Sequence, residues 1–173
     1  MKYCPMCPRA RSLITKIIED KQYMACPSCN FVNWGGPTLV VAVIIPDQNG
    51  LVMGKRGVRP VGKWCFPCGF VDRYECSDEA AVREPLEEVG LITKPNRFLG
   101  NFCPTPAKNQ NIALYLSRVV GGTLQAGSDI TEVGIFTKEN RPDFAFDFHE
   151  TVFDAWFAGK IKLSDEDQVP FKF

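Results

Sequence analysis

The chain has 173 residues, 45% of them hydrophobic and 23% charged, with 20 lysines and arginines against 20 aspartates and glutamates. That length supports one good core and a small appendage, and the charge balance excludes a global basic field of the kind that marks nucleic-acid binders. No apolar run reaches membrane-spanning length and Met1-Lys2-Tyr3-Cys4 does not open a secretory signal, so the chain reads as cytoplasmic, with no membrane partner.

At the N-terminus, Cys4-Pro5-Met6-Cys7 and Cys26-Pro27-Ser28-Cys29 form two C-x2-C knuckles, eighteen residues apart. Each knuckle can bring two thiolates onto one ion, and the pair completes a tetrahedral four-sulfur site for zinc. A segment of about thirty residues cannot build a self-sufficient apolar core, so a metal would supply much of its folding free energy. Four ligands leave no open position, which makes that zinc structural. Two disulfides are the alternative, but nothing else here points to an oxidising compartment. Residues 1–33 carry five bases and two acids, a mildly basic module through which contact with nucleic acid is conceivable. Gly35-Gly36-Pro37 interrupts any regular element, so residues 1–34 are expected to form a zinc ribbon and residues 35–173 the main domain.

Thr38 to Ile45 is a continuous β-branched run suited to a buried strand; Asp47-Gln48-Asn49-Gly50 is a hairpin turn, and Leu51 to Met53 returns. Cys65-Phe66-Pro67-Cys68 is a third C-x2-C. A redox pair is conceivable, but with no thioredoxin-like pattern around them these two read as small buried hydrophobes. Asn111 to Val120 and Glu132 to Phe136 are further strands. His149 to Ala158 has helical spacing and stops at Gly159, with the lone histidine at its start as a helix-end or packing residue. Asp165-Glu166-Asp167 reads as a solvated tail.

Gly69 to Leu91 (GFVDRYECSDEAAVREPLEEVGL) carries the densest chemistry. Ser77 suits an N-cap, Asp78 and Glu79 suit the first turn of a helix running to about Val89, and Gly90 suits its end. Val82, Leu86 and Val89 then share one side, with Glu84, Glu87 and Glu88 on the other. Between Asp72 and Glu88 there are seven acids against two arginines, a repulsion that magnesium or manganese would relieve. Against regularity stands Pro85, which removes the amide that would bond the Ala81 carbonyl and costs roughly 3 kcal/mol relative to alanine in a helix interior.

The same stretch resembles the signature of the Nudix hydrolases: G, five residues, E, seven residues, then R-E-U-x-E-E-x-G-U, with U a bulky aliphatic. Gly69, Glu75, Arg83, Glu84, Glu87, Glu88 and Gly90 match; Pro85 stands at an aliphatic position. The resemblance covers about residues 38–158. It implies an α+β fold, the Nudix α/β/α sandwich with a mixed sheet, here preceded by the small zinc ribbon. A ribbon before this signature is similar to a subgroup acting on FAD, NADH or ADP-ribose, although Pro8 replaces a usual glycine. Carried over, the resemblance implies that Glu84, Glu87 and Glu88 bind magnesium or manganese with the Gly69 carbonyl, and that Glu75 and Arg83 pair. Asp129 would be the base, with Glu132 as runner-up. Arg56 would reach a phosphate, and Phe70, Phe102 or Tyr115 would stack on a base.

The implied activity is divalent-metal-dependent hydrolysis of a nucleoside diphosphate linked to another moiety, a small-molecule substrate, by a chain that in this family is often a homodimer. The alternative is a Nudix-fold nucleotide-binding or regulatory module whose turnover Pro85 has weakened. A prenyl-diphosphate isomerase is a third class, for which no cysteine context resembling that family is found.

Overall fold

The computed structural model describes residues 1–7, 11–104 and 109–162, so Pro8 and the Asp165-Glu166-Asp167 tail lie outside the described residues. Two compact units fall within Met1–Pro37 and Thr38–Phe173.

The first unit is an antiparallel sheet in the order β1 (Ile14–Ile18), β2 (Lys21–Ala25), β3 (Val32–Asn33). Glu19 and Asp20 turn between the first two strands with φ of 48° and 61°, both left-handed, as a two-residue hairpin needs. The strands expose Ile14 and Ile17, and the interior consists of Leu13 and Phe31 packed on the four knuckle cysteines. So small a core agrees with a unit that leans on a metal.

The second unit is built around β4 (Thr38–Ile44), the β-branched run expected to be buried on both sides. Its alternating side chains divide two cores. Val41 and Val43 point to one side, with Ala80, Ala81 and Val89 of α1 (Ser77–Val89); Ala42 and Ile44 point to the other, with Val152 and Phe153 of α2 (Asp147–Phe157). The strand pairs in parallel with β10 (Gln110–Gly122) and antiparallel with β8 (Cys68–Phe70). An antiparallel β9 (Leu91–Phe102) closes that sheet in the order β8-β4-β10-β9. A second sheet centres on β6 (Gly50–Arg56), which pairs with β5 (Pro46–Asp47), β7 (Trp64–Cys65) and β11 (Ile130–Phe136). The result is the α+β sandwich with a mixed sheet and a helix on each side. Among the described residues, no helix is long and apolar enough to cross a membrane.

The longest stretch of strand that the sequence reading does not name is β9. β9 is 12 residues long although Lys94-Pro95-Asn96 within it looks like a turn. Its pairing with β10 absorbs the proline through register shifts, a tertiary solution that local composition does not announce.

Candidate active site

The signature segment lays its residues on a loop, a short strand and α1. Cys76, not Ser77, is the extended residue before the helix, and its backbone N–H donates to the Glu79 carboxylate at 2.7 Å. Ser77 opens the first turn instead, with its hydroxyl 2.8 Å from that of Tyr115. Gly90 ends the helix at φ 72°, its N–H on the Leu86 carbonyl at 3.1 Å.

The helix is rotated from the expected orientation. Leu86 is 49% exposed, while Glu84 and Glu88 are buried at 8% and 5%. The inward face is therefore Ala80, Ala81, Glu84, Pro85, Glu88 and Val89; of the expected Val82, Leu86 and Val89 only Val89 is buried. The reason Glu84 and Glu88 turn inward is polar. Donors stand inside to meet the carboxylates, and hydrophobic periodicity cannot register them. The Cys68 N–H donates to Glu88 Oε2 at 2.9 Å. Gly69 lies so close to Glu84 that a Cβ there would come within 2.2 Å of its carboxylate.

Arg83 ties the loop to the helix. Its Nε and Nη2 grip both oxygens of Glu75 at 2.7 and 2.8 Å, and Nη2 also reaches the Phe70 carbonyl at 3.0 Å. Its Nη1 bonds Glu84 at 2.7 Å and Glu87 at 3.1 Å. The Arg83 guanidinium holds the Glu75 carboxyl below its usual range. Burial acts the other way, raising Glu84 and pushing Glu88 up to about 8. Three carboxylates thus share one guanidinium, and their remaining charge suits a hard divalent cation with oxygen ligands.

Pro85 does not break α1, which runs through it to Val89. The Ala81 carbonyl that loses its helical partner instead accepts from the buried Thr93 hydroxyl on β9, at 3.5 Å.

Glu84, Glu87, Glu88 and Asp129 line one cavity of about 740 Å³, together with Arg56, Phe70, Phe146, Phe148 and His149. Asp129 stands just before β11, where the Gly57 N–H binds its carbonyl at 2.7 Å. Glu132 is not at the cavity; it pairs with Lys55 at 2.9 Å on the surface. Tyr115 is committed to Ser77, and Phe102 packs on Phe148 with ring centroids 5.4 Å apart. Arg56 lies over the Phe146 ring at 5.1 Å and leaves its buried Nε without a partner.

Residues 36–157 match the NUDIX domain family. The chain belongs to the NUDIX family. It is 37% identical over 123 residues to the ADP-ribose pyrophosphatase of Methanocaldococcus jannaschii, covering 68% of this chain and 72% of that one. It is 22% identical to the NAD-capped RNA hydrolase NudC of Vibrio atlanticus over 84% of its own length, which is 52% of that enzyme. Among solved structures, a NUDIX hydrolase from Nitrosomonas europaea shares the fold, with a TM-score of 0.82, 24% identity, and coverage of 98% of this chain and 95% of that one. As a Nudix enzyme the chain is a pyrophosphohydrolase, acting on phosphoric anhydrides.

Sequence reasoning about this Nudix site gave His149 a helix-end or packing role only, and passed over the aromatic wall of Phe146 and Phe148. His149 is buried, accepts the Phe66 N–H on Nδ1 at 3.1 Å, and is pushed down to about 3 by burial, so it stands neutral at the cavity. A lone histidine among phenylalanines has no local pattern that separates this from core packing.

In the N-terminal unit, the sulfurs of Cys4 and Cys29, and of Cys7 and Cys26, lie 3.6 Å apart, and all four fall within 4.8 Å of one another. Zinc–sulfur bonds of about 2.3 Å in a tetrahedron require sulfurs at such separations. The Met6 and Ser28 amides donate to the Cys4 and Cys26 sulfurs at 3.4 and 3.3 Å, and the Ser28 bond helps bring Cys26 down to about 7.

Proposed function

We propose that this Nudix enzyme hydrolyses the diphosphate linkage of a nucleoside diphosphate joined to another moiety, with compounds of the ADP-ribose, NADH or FAD type as substrates. The observation that carries this reading is the cavity, roomy enough for such a ligand, with Glu84, Glu87, Glu88 and Asp129 on its wall. The activity named for the archaeal relative supports the same class.

Glu84, Glu87 and Glu88, with the Gly69 carbonyl, would hold magnesium or manganese. Such ions would neutralise the phosphate oxygens and make an attacking water more acidic. Asp129 then accepts the proton of that water. Arg56, with its unpartnered Nε, binds a phosphate oxygen, and Phe70, 57% exposed at the rim, stacks on a base. Arg83 clamps Glu75 and so sets the loop against the helix. The products are a nucleoside monophosphate and the monophosphate of the partner. Pro85 is accommodated by the Thr93 hydroxyl, which favours a working site over a weakened one. In the N-terminal ribbon Cys4, Cys7, Cys26 and Cys29 hold a structural zinc.

The test is phosphomonoester release with magnesium or manganese from FAD, NADH, ADP-ribose, diadenosine polyphosphates, nucleotide sugars and nucleoside triphosphates. Turnover of ADP-ribose or a dinucleotide is the expected result. Unchanged turnover in Glu87→Gln and Glu88→Gln would remove the basis of the assignment.

A further inference from the structure

Cys65 and Cys68 take no part in the proposed hydrolysis, yet they sit where it is organised. Cys65 ends β7 in the second sheet, and Cys68 begins β8 in the first. The turn between them is pinned by the Pro67 carbonyl, which accepts the Val43 N–H at 2.9 Å, and by the Phe66 N–H on His149. Their sulfurs lie within 4.8 Å of each other and of a His149 nitrogen. Cys65 is wholly buried, whereas Cys68 lines the cavity.

A soft metal ion is one occupant of such a cluster, and three features argue against it. In both ribbon knuckles the amide two residues after the first cysteine donates to its sulfur; at Cys65 that position is Pro67, which has no N–H. The Nδ1 lone pair of His149 is engaged by the Phe66 amide, whereas a metal-bound histidine needs one nitrogen free and an acceptor at the other. The Arg56 guanidinium lies 4.0 Å from the Cys65 sulfur, where it would repel a second cation.

We propose that Cys65 and Cys68 form an oxidisable dithiol, a modification site at which a hydroperoxide entering the cavity closes a disulfide between the two sheets and lowers turnover. The Cys68 sulfur attacks a peroxide oxygen, the O–O bond breaks, and an alcohol, or water from hydrogen peroxide, departs. The Cys65 sulfur then attacks the resulting sulfenic acid, an S–S bond forms, the S–O bond breaks, and water leaves. The two thiols lose two electrons and two protons, which the peroxide takes up. Closing the sulfurs to about 2.05 Å moves the Cys68–Gly69 backbone. That backbone donates to Glu88 and abuts Glu84, so the change reaches two carboxylates of the proposed metal site directly.

The effect on turnover rests on the hydrolase reading; the disulfide does not. Trypsin cutting after Lys63 and Arg73 releases Trp64–Arg73, which holds both cysteines and no others. Zinc-loaded protein is treated with hydrogen peroxide, alkylated, digested and weighed. The expected peptide is lighter by two hydrogen atoms, refuses the alkylating agent and recovers with dithiothreitol. ADP-ribose hydrolysis falls on the order of tenfold or more and recovers with it. Cys65→Ser, or Cys65→Ala if serine unfolds the buried site, keeps the reduced turnover and loses the sensitivity. The proposal is overturned if both cysteines alkylate while the exposed Cys76 and Cys103 oxidise, or if the Cys65 variants respond like the parent. A second equivalent of zinc per chain, lost with Cys65, would overturn it as well. Should no substrate turn over, the peptide mass still decides the disulfide while the hydrolase reading falls alone.

Discussion

Thr93 and Ala81 show how one side chain can repair a helix. Replacing Thr93 with valine keeps its shape and leaves the Ala81 carbonyl without a partner, a loss of about 1 kcal/mol. In a Pro85→Ala background residue 85 regains its amide, so the same Thr93→Val change is expected to cost much less. Urea unfolding of the four proteins in this cycle gives the coupling directly, and equal costs in both backgrounds would remove the repair role. Glu88 carries a second residue-scale prediction. Burial lifts it from 4.5 to about 8, so between those values the folded chain keeps a proton that the unfolded chain has released. The stability of the metal-free protein therefore falls as pH rises through that window. In the proposed metal site manganese would need the ionised carboxylate, so its affinity is expected to climb up to about pH 8 and its binding at neutral pH to expel a proton. Calorimetry in buffers of different ionisation enthalpy counts that proton, and Glu88→Gln is expected to abolish it.

At the scale of elements, α1 works because both its ends are fixed. Glu79 caps the start, and Gly90 turns the chain into β9. A Cβ at Gly90 would lie 2.4 Å from the Thr123 carbonyl, on a backbone already at positive φ. Gly90→Ala is expected to destabilise the fold by about 2 kcal/mol, read as a lower denaturation midpoint. The ends of this helix were legible in the sequence to within a residue, because capping and termination are local chemistry. Its facing was not. Leu86 points outward and Glu88 inward since the Cys68 amide and the Gly69 backbone come from β8, which packs beside α1 only in the folded sheet. For the same reason β9 was invisible: Lys94-Pro95-Asn96 interrupts any local strand pattern, and only β10 lying against it supplies the pairing.

Over the whole molecule, each unit draws its core from its own residues. The four cysteines, Leu13 and Phe31 serve the first, while the two clusters of the second begin at Leu39 and Val40. A strong chelator is therefore expected to remove one zinc per chain and melt the N-terminal unit, leaving the main unfolding transition of the Nudix unit in place. Scanning calorimetry with and without chelator tests this. A single transition that disappears on chelation would contradict independent cores.

The amino-acid sequence by itself determined the family, the four-sulfur cluster and the alternation of buried strands. These rest on residue types at fixed spacings, and spacing along a chain survives without coordinates. Tertiary structure alone decided which carboxylates are buried, that Asp129 faces the cavity while Glu132 pairs with Lys55, and that Thr93 satisfies the carbonyl Pro85 leaves open. It also brought the Cys65–Cys68 turn beside Glu88. Each of these joins groups from different strands and helices, where hydrogen bonds and desolvation across packed elements outweigh any local preference.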